Sequence, residues 1–255
     1  MILLKTEEQI DGIRKSCKLL AQLLDALEGK IVPGMSTLDI DRMCHDFIIR
    51  HGGKPAFLHY EGFPATACVS VNEEVIHGIP SKKKIIHEGD EVSVDLGINL
   101  DGFISDSART YLVGKVSPEV KRLVDVTREC LYKGIAALDK PHCRIQDIGA
   151  AVYEHAHRNG YGVVREYCGH GVGLQVHEEP EIPNYVSLFS PNPRIREGMV
   201  IAIEPMINMG KDGIIDMPDG WTVITADGKP AAHWEHTVAI TEDGCEVLTV
   251  PADYP

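Results

Sequence analysis

The chain has no long hydrophobic run, and none of its stretches approaches the ~20 apolar residues that cross a bilayer. Its first segment, MILLKTEEQI, has no basic lead and too short an apolar run for a signal peptide, so no secretory leader is expected. None of the seven cysteines has CxxC spacing. That argues against a structural zinc site or a disulfide framework, and for mostly buried thiols in a cytoplasmic protein. Basic residues are outnumbered: 25 Lys and Arg against 38 Asp and Glu leave a net charge of −13. Direct binding to nucleic acid or to an anionic membrane is therefore not expected. Lys82-Lys83-Lys84 is a short basic cluster that reads as a solvated turn. What is present, 44% hydrophobic and 25% charged over 255 residues, is ordinary globular composition. It suffices for one large domain or two small ones.

The stretch EVSVDLGINLDGFISDSA carries an aspartate inside each of two strand-like runs. Val92, Val94, Leu96 and Ile98 alternate with Glu91, Ser93, Asp95 and Gly97, the period-two pattern of a half-buried strand. Asp101-Gly102 is a strong hairpin signal. A two-residue turn there makes paired numbers sum to 203, which sets Asp106 opposite Gly97 and Asp95 opposite Ala108. The two carboxylates then share a face as diagonal neighbours, ~7–8 Å apart at the backbone. On a face partly out of water they need a proton, a cation or a metal between them. A solvated face with two ordinary acids is the plain alternative for the hairpin taken alone.

Helices are expected over residues 6–28, capped by Thr6, and from Thr37 to Arg50. After the hairpin the order recurs, with a helix from Ser117-Pro118 to about Ala137 and another from Gln146 to Arg158. Asp39 and Asp147 are 108 apart, as are Arg50 and Arg158. EGDEVSVD and EGMVIAIE match at an offset of 109, each ending in an acid, Asp95 and Glu204. A nearly constant offset suggests an ancient duplication into halves of about 1–113 and 114–255, facing each other about a pseudo-twofold axis. The expectation is one α+β catalytic domain spanning 1–255. The second half adds Glu235, in AAHWEHTVAI, which reads as a single strand. Four carboxylates converging on the axis could not all stay ionised without cations, so a metal site becomes the leading interpretation.

Of twelve histidines, His45, His51, His87, His142, His155 and His157 lie in polar contexts and read as surface residues. His170 in CGHGVG, His177 in VHEEP and His77 in VIHGIP stand out. Glycines on both sides of His170 leave room for close backbone approach. One histidine with four carboxylates is richer in oxygen than a structural zinc site. It suits a pair of divalent ions such as manganese, iron, cobalt or zinc, ~3.5–4 Å apart, which is a hydrolytic arrangement.

VNEEVIHGIP, the Asp95/Asp106 hairpin, GHGVGLQVHEEP, IEPM and HWEHTV, in this order and spacing, closely resemble the type I methionine aminopeptidases. The resemblance runs over almost the whole chain and implies the pita-bread fold, which agrees with the duplication. It further implies that Asp95, Asp106, His170, Glu204 and Glu235 bind the two metals, with Asp106 and Glu235 bridging. His177 would hydrogen-bond the scissile amide and stabilise the oxyanion. His77 would lie near the substrate, and Glu204 would accept a proton from the attacking water and pass it to the leaving amine. Tyr60, Phe63, Cys68 and Trp221 would line the methionine pocket, ordinary core packing being their alternative role. Val176 departs from the bulkier apolar residue the family often carries before His177, which puts the pocket's detailed shape in question.

The implied activity is removal of the initiator methionine from nascent chains whose second residue is small, in the cytoplasm, by a monomer with a possible ribosome contact. Two other readings compete. One is a sister peptidase such as a prolidase or aminopeptidase P, which carries a large N-terminal domain for which no room is expected here. The other is a binding module without catalysis, although all five ligand types stand in place. The loop from Pro183 to Pro193 is expected to border the cleft.

Overall fold

The computed structural model describes residues 1–187 and 189–250. Four helices, α1 (Glu7–Leu27), α2 (Thr37–Arg50), α3 (Pro118–Ala136) and α4 (Ile145–Arg158), pack on antiparallel sheets, the α+β layout expected. The strands of the first half are β1 (Lys54–Pro55), β2 (Cys68–Val71), β3 (Glu74–Ile76), β4 (Glu91–Leu100) and β5 (Phe103–Leu112). The second half contributes β6 (Gly162–Val163), β7 (Gly169–Gly171), β8 (Glu178–Ile182), β9 (Val200–Ile203) and β10 (Met206–Asn208). It ends in β11 (Ile214–Asp216), β12 (Val223–Thr225), β13 (Ala231–His233), β14 (His236–Thr241) and β15 (Gly244–Val247).

Two helix starts 108 positions apart share their capping chemistry. Asp39 and Asp147 are each the third residue of their helix, α2 and α4. Each side chain accepts a 2.9 Å bond from the backbone N–H three residues earlier, Ser36 and Arg144. This satisfies one of the orphan donors of a helix start. Both helices end at an arginine, with a glycine in the left-handed region two positions on, Gly52 and Gly160. The helices bury the stripes their periodicity predicts. Ile10, Ile13, Leu20, Leu23, Leu24 and Leu27 of α1 are all buried, each stabilising the fold by roughly 1.5–3 kcal/mol relative to exposure.

The central hairpin has the expected register. Asp95 pairs with Ala108 and Gly97 with Asp106 across β4 and β5. Asp101 and Gly102 both have positive φ, 53° and 90°, as a type I′ turn requires. The apolar side, Val92 to Ile98, packs against α1 and α2, which leaves the aspartates facing the second half. There β14, β9 and β7 stand side by side.

AAHWEHTVAI is not one strand. Its first part, β13, pairs with β10, and its last part, β14, pairs with β9. Trp234 and Glu235 sit where the chain changes sheets. Burial runs on from Ala231 to Ala239 with only Trp234 half-buried, so the pattern does not reveal the break. His236 pairs with Ile203, and one further step of that register sets Glu204 opposite Glu235. The two halves are sewn together at this level. Glu235 N–H donates to Ala108 O at 3.0 Å, Ser107 Oγ to Glu235 O at 2.7 Å and Thr237 Oγ1 to Asp106 O at 2.7 Å.

Candidate active site

The stitching brings four acids and a histidine from separate strands to one place. Asp95 and Asp106 come from the first hairpin, Glu204 follows β9, Glu235 precedes β14, and His170 lies in β7. All five line a cleft of about 280 Å³. Single ligand atoms of Asp106, His170 and Glu235 lie within 4.8 Å of one another. His170 Nε2 is 3.8 Å from Asp106 Oδ2 and 3.4 Å from Glu204 Oε1. Its Nδ1 is 2.9 Å from Gly171 O. With the proton on Nδ1, that bond fixes the tautomer and turns the Nε2 lone pair towards the carboxylates.

The close approach needs glycine on both sides of His170. A Cβ on Gly169 would stand 2.3 Å from Ala202 O, and one on Gly171 would stand 2.4 Å from Glu179 O. Any other residue would push β7 away from its neighbours.

The electrostatics explain what the cluster requires. Burial pushes the Asp95 carboxyl up to about 7 and that of Glu204 to about 8. Burial and mutual repulsion raise Asp106 and Glu235 well above the carboxylate range. Burial pushes His170 down to about 3, so no imidazolium is present to balance acids. Asp95 Oδ1, Asp106 Oδ1 and Glu235 Oε1 are buried without a hydrogen-bond partner among the described residues. Orphaned carboxylate oxygens facing a neutral imidazole nitrogen are the donor set of a metal centre. Two divalent ions would balance four ionised carboxylates.

The same cleft is apolar at its other end. Tyr60, Phe63, Cys68, Trp221, His77 and His177 all line it. Phe63 and Cys68 are only 3% and 4% exposed and form a small cluster with Ala65, against which Trp221 packs. The Phe63 and Trp221 rings meet edge to face at 5.1 Å. His77 has φ of 57°, unusual for a residue with a side chain, and its ring stands edge-on to Tyr167 at 5.5 Å and to Trp221 at 6.2 Å. Burial pushes His77 down to about 4. His177 Nδ1 lies 3.0 Å from Tyr60 Oη, and the His177 ring stands 4.3 Å from that of His170.

The sequence pattern missed Phe57, Glu61, Ile76, Tyr167 and Cys168 as lining residues. Tyr167 and Cys168 immediately precede the Gly-His-Gly motif, which was an available signal. It also missed His233, whose Nε2 lies 3.6 Å from Glu204 Oε2. Val176 does line the cleft. Of the loop 183–193, Leu188 lies outside the described residues, and the others do not line the cleft. Asn184 reaches it indirectly, donating to Glu204 O at 2.9 Å. A second groove beside Lys5, Arg14 and Glu246 is larger, about 470 Å³, but polar, with none of these residues in it.

Residues 11–242 match the model of metallopeptidase family M24. The methionine aminopeptidase of Treponema pallidum is 55% identical over 99% of this chain and 98% of its own length. The crystal structure of the methionine aminopeptidase from Rickettsia prowazekii superposes with a TM-score of 0.93 at 40% identity. It covers 98% of this chain and 100% of its own. A prolidase from Pyrococcus furiosus gives a TM-score of 0.76 at 27% identity, and this chain spans 65% of its length. The antiparallel α+β architecture is thus the pita-bread fold. The chain belongs to metallopeptidase family M24, among its methionine aminopeptidases.

Proposed function

We propose that this chain hydrolyses the first peptide bond of substrates that begin with methionine and have a small second residue. The observation that carries this reading is a single cleft with an apolar end at Phe63, Cys68 and Trp221 and a carboxylate–histidine cluster at the other. Asp95, Asp106, His170, Glu204 and Glu235 would hold a pair of divalent ions, drawn from manganese, iron, cobalt and zinc, which all suit this donor set. When bound, such a pair lowers the pKa of water towards neutrality and polarises a carbonyl.

The protein's own groups then divide the work. The methionine side chain enters the apolar end, and its burial orients the scissile bond. Glu204, one oxygen facing His170, takes the proton of the attacking water and returns it to the leaving amine nitrogen. With Tyr60 O–H donating to His177 Nδ1, the remaining proton of His177 sits on Nε2. From there it hydrogen-bonds the scissile carbonyl oxygen as negative charge develops. His77 stays neutral through burial and serves as a hydrogen-bonding group near the substrate rather than as a cation. A bulky second side chain would crowd the carboxylate cluster, hence the preference for a small one.

The substrates in the cell would be nascent chains, with the ribosome as a possible docking partner, a monomer as the working form and the cytoplasm as the location. No helix among the described residues is long and apolar enough to cross a membrane. The test is a peptide panel. Release of the first residue is measured for Met-Ala-Ser, Met-Leu-Ser, Leu-Ala-Ser and Pro-Ala-Ser after chelation, with and without added Mn²⁺ or Co²⁺. Rapid metal-dependent release from Met-Ala-Ser alone supports the reading. Equal cleavage of Met-Leu-Ser removes the small-residue preference, and preference for another first residue moves the chain to a sister peptidase.

A further inference from the structure

Glu204 is bracketed by two histidines. Its Oε1 lies 3.4 Å from His170 Nε2, and its Oε2 lies 3.6 Å from His233 Nε2. His170 belongs to the proposed ligand set; His233 stands outside it, on the other side of the Glu204 carboxylate. His233 is 1% exposed, and its Nε2 is buried without a hydrogen-bond partner among the described residues.

The backbone of His233 is held from both sides. Its N–H donates to Thr110 Oγ1 at 3.1 Å, and its carbonyl accepts from the same hydroxyl at 2.8 Å. Thr110 in turn meets Ser93 Oγ at 2.8 Å. Residue 233 also ends β13, where it pairs with Met206, two positions past Glu204. The backbone of His233 thus rests on the first-half hairpin through Thr110 and Ser93, and its ring sets Nε2 3.6 Å from the carboxylate that must move a proton. A separation of 3.6 Å is longer than a finished hydrogen bond, and catalytic hydrogen bonds often tighten only once substrate is bound.

We infer that His233 is a positioning residue for Glu204. Its Nε2–H donates to Glu204 Oε2, holding the carboxylate plane so that Oε1 faces the reacting centre. This inference rests on the proposed function only for the role of Glu204. A carboxylate that both helps hold metal and accepts a proton loses both functions when it swings, so one tether supports both.

Three variants separate a donor from a filler. His233→Gln keeps an N–H donor, His233→Met has nearly the same shape as glutamine without a donor, and His233→Ala has neither. Each is first checked for folding by circular dichroism and thermal melting. Two readouts follow: calorimetric titration of the chelated protein with Mn²⁺, and kcat and KM for Met-Ala-Ser. The expected result is a kcat on the order of 10-fold lower and Mn²⁺ binding roughly 10–100-fold weaker in H233M and H233A. KM should stay within about threefold, since the apolar pocket is untouched, and H233Q should keep most of both properties. Native kcat and native Mn²⁺ affinity in H233M would overturn the inference. So would an H233Q variant that folds yet is as impaired as H233M or H233A. The Mn²⁺ titration needs no substrate, so a failure of the proposed peptidase activity would show in the unaltered protein and be distinguishable from a failure at His233.

Discussion

Tyr60 and His177 are 117 positions apart in the chain, yet Tyr60 Oη and His177 Nδ1 lie 3.0 Å apart at the mouth of the cleft. The tyrosine comes from a loop with left-handed residues on both sides, His59 at φ 68° and Glu61 at φ 48°. Backbone conformations of this kind persist where the surroundings impose them. If Tyr60 sets the tautomer of His177, Tyr60→Phe should lower kcat about 10-fold while leaving the pocket's shape intact. His177→Ala should lower it by on the order of 10²–10³, the loss seen for an oxyanion donor. The double variant should be no worse than His177→Ala alone, because the tyrosine acts through the histidine. Additive losses in the double variant would mean that Tyr60 works independently.

The loop that carries His177 is braced from the N-terminal segment. Lys5 Nζ meets Glu178 Oε2 at 2.5 Å, with both side chains almost fully buried. The other oxygen, Glu178 Oε1, accepts the backbone N–H groups of Leu174 and Gln175 at 2.8 and 3.0 Å. Removing one partner of a buried ion pair leaves an uncompensated charge. Lys5→Met should therefore cost about 3–5 kcal/mol of stability in denaturant titration. The double variant Lys5→Met, Glu178→Gln should recover part of that, since the amide oxygen still accepts from the loop. A single variant as stable as the parent would show that the pair braces nothing.

Glu91 gives a pH prediction independent of metals. It is 1% exposed, and both carboxylate oxygens are buried without partners among the described residues. Burial pushes its carboxyl from 4.5 up to about 8. A raised acid favours the folded state while it is protonated in both states, below the unfolded value. That contribution is lost as pH rises through the folded value. The parent protein should thus lose stability relative to Glu91→Gln between pH 5 and pH 9. Thermal melts across that range should show the melting temperature of the variant, minus that of the parent, growing by a few degrees. A difference that stays constant with pH would place the Glu91 carboxylate in contact with water or a cation.

Much of the site was legible because it rests on short-range rules. A type I′ turn at Asp101-Gly102 fixes the register of β4 and β5, so arithmetic on residue numbers placed Asp95 and Asp106 on one face. Glu204 was legible as an acid closing an apolar strand, and His170 through its flanking glycines. His233 was not, because nothing beside it in sequence marks it. Its significance lies across the sheet, 3.6 Å from a glutamate 29 positions earlier. The break at Trp234–Glu235 was hidden for a related reason: burial runs from β13 into the first four residues of β14, and continuous burial erases the alternation that would separate them.

The most direct test is methionine release from Met-Ala-Ser by the chelated protein as Mn²⁺ is returned, in the parent and in Asp106→Asn. Asp106 is 2% exposed and lies in the tight group of ligand atoms. A metal centre that includes Asp106 predicts no release in chelator, recovery with Mn²⁺ in the parent, and at least a roughly 100-fold deficit in the variant at the same Mn²⁺ concentration. Release that persists in chelator, or that is equal in parent and variant, would contradict it.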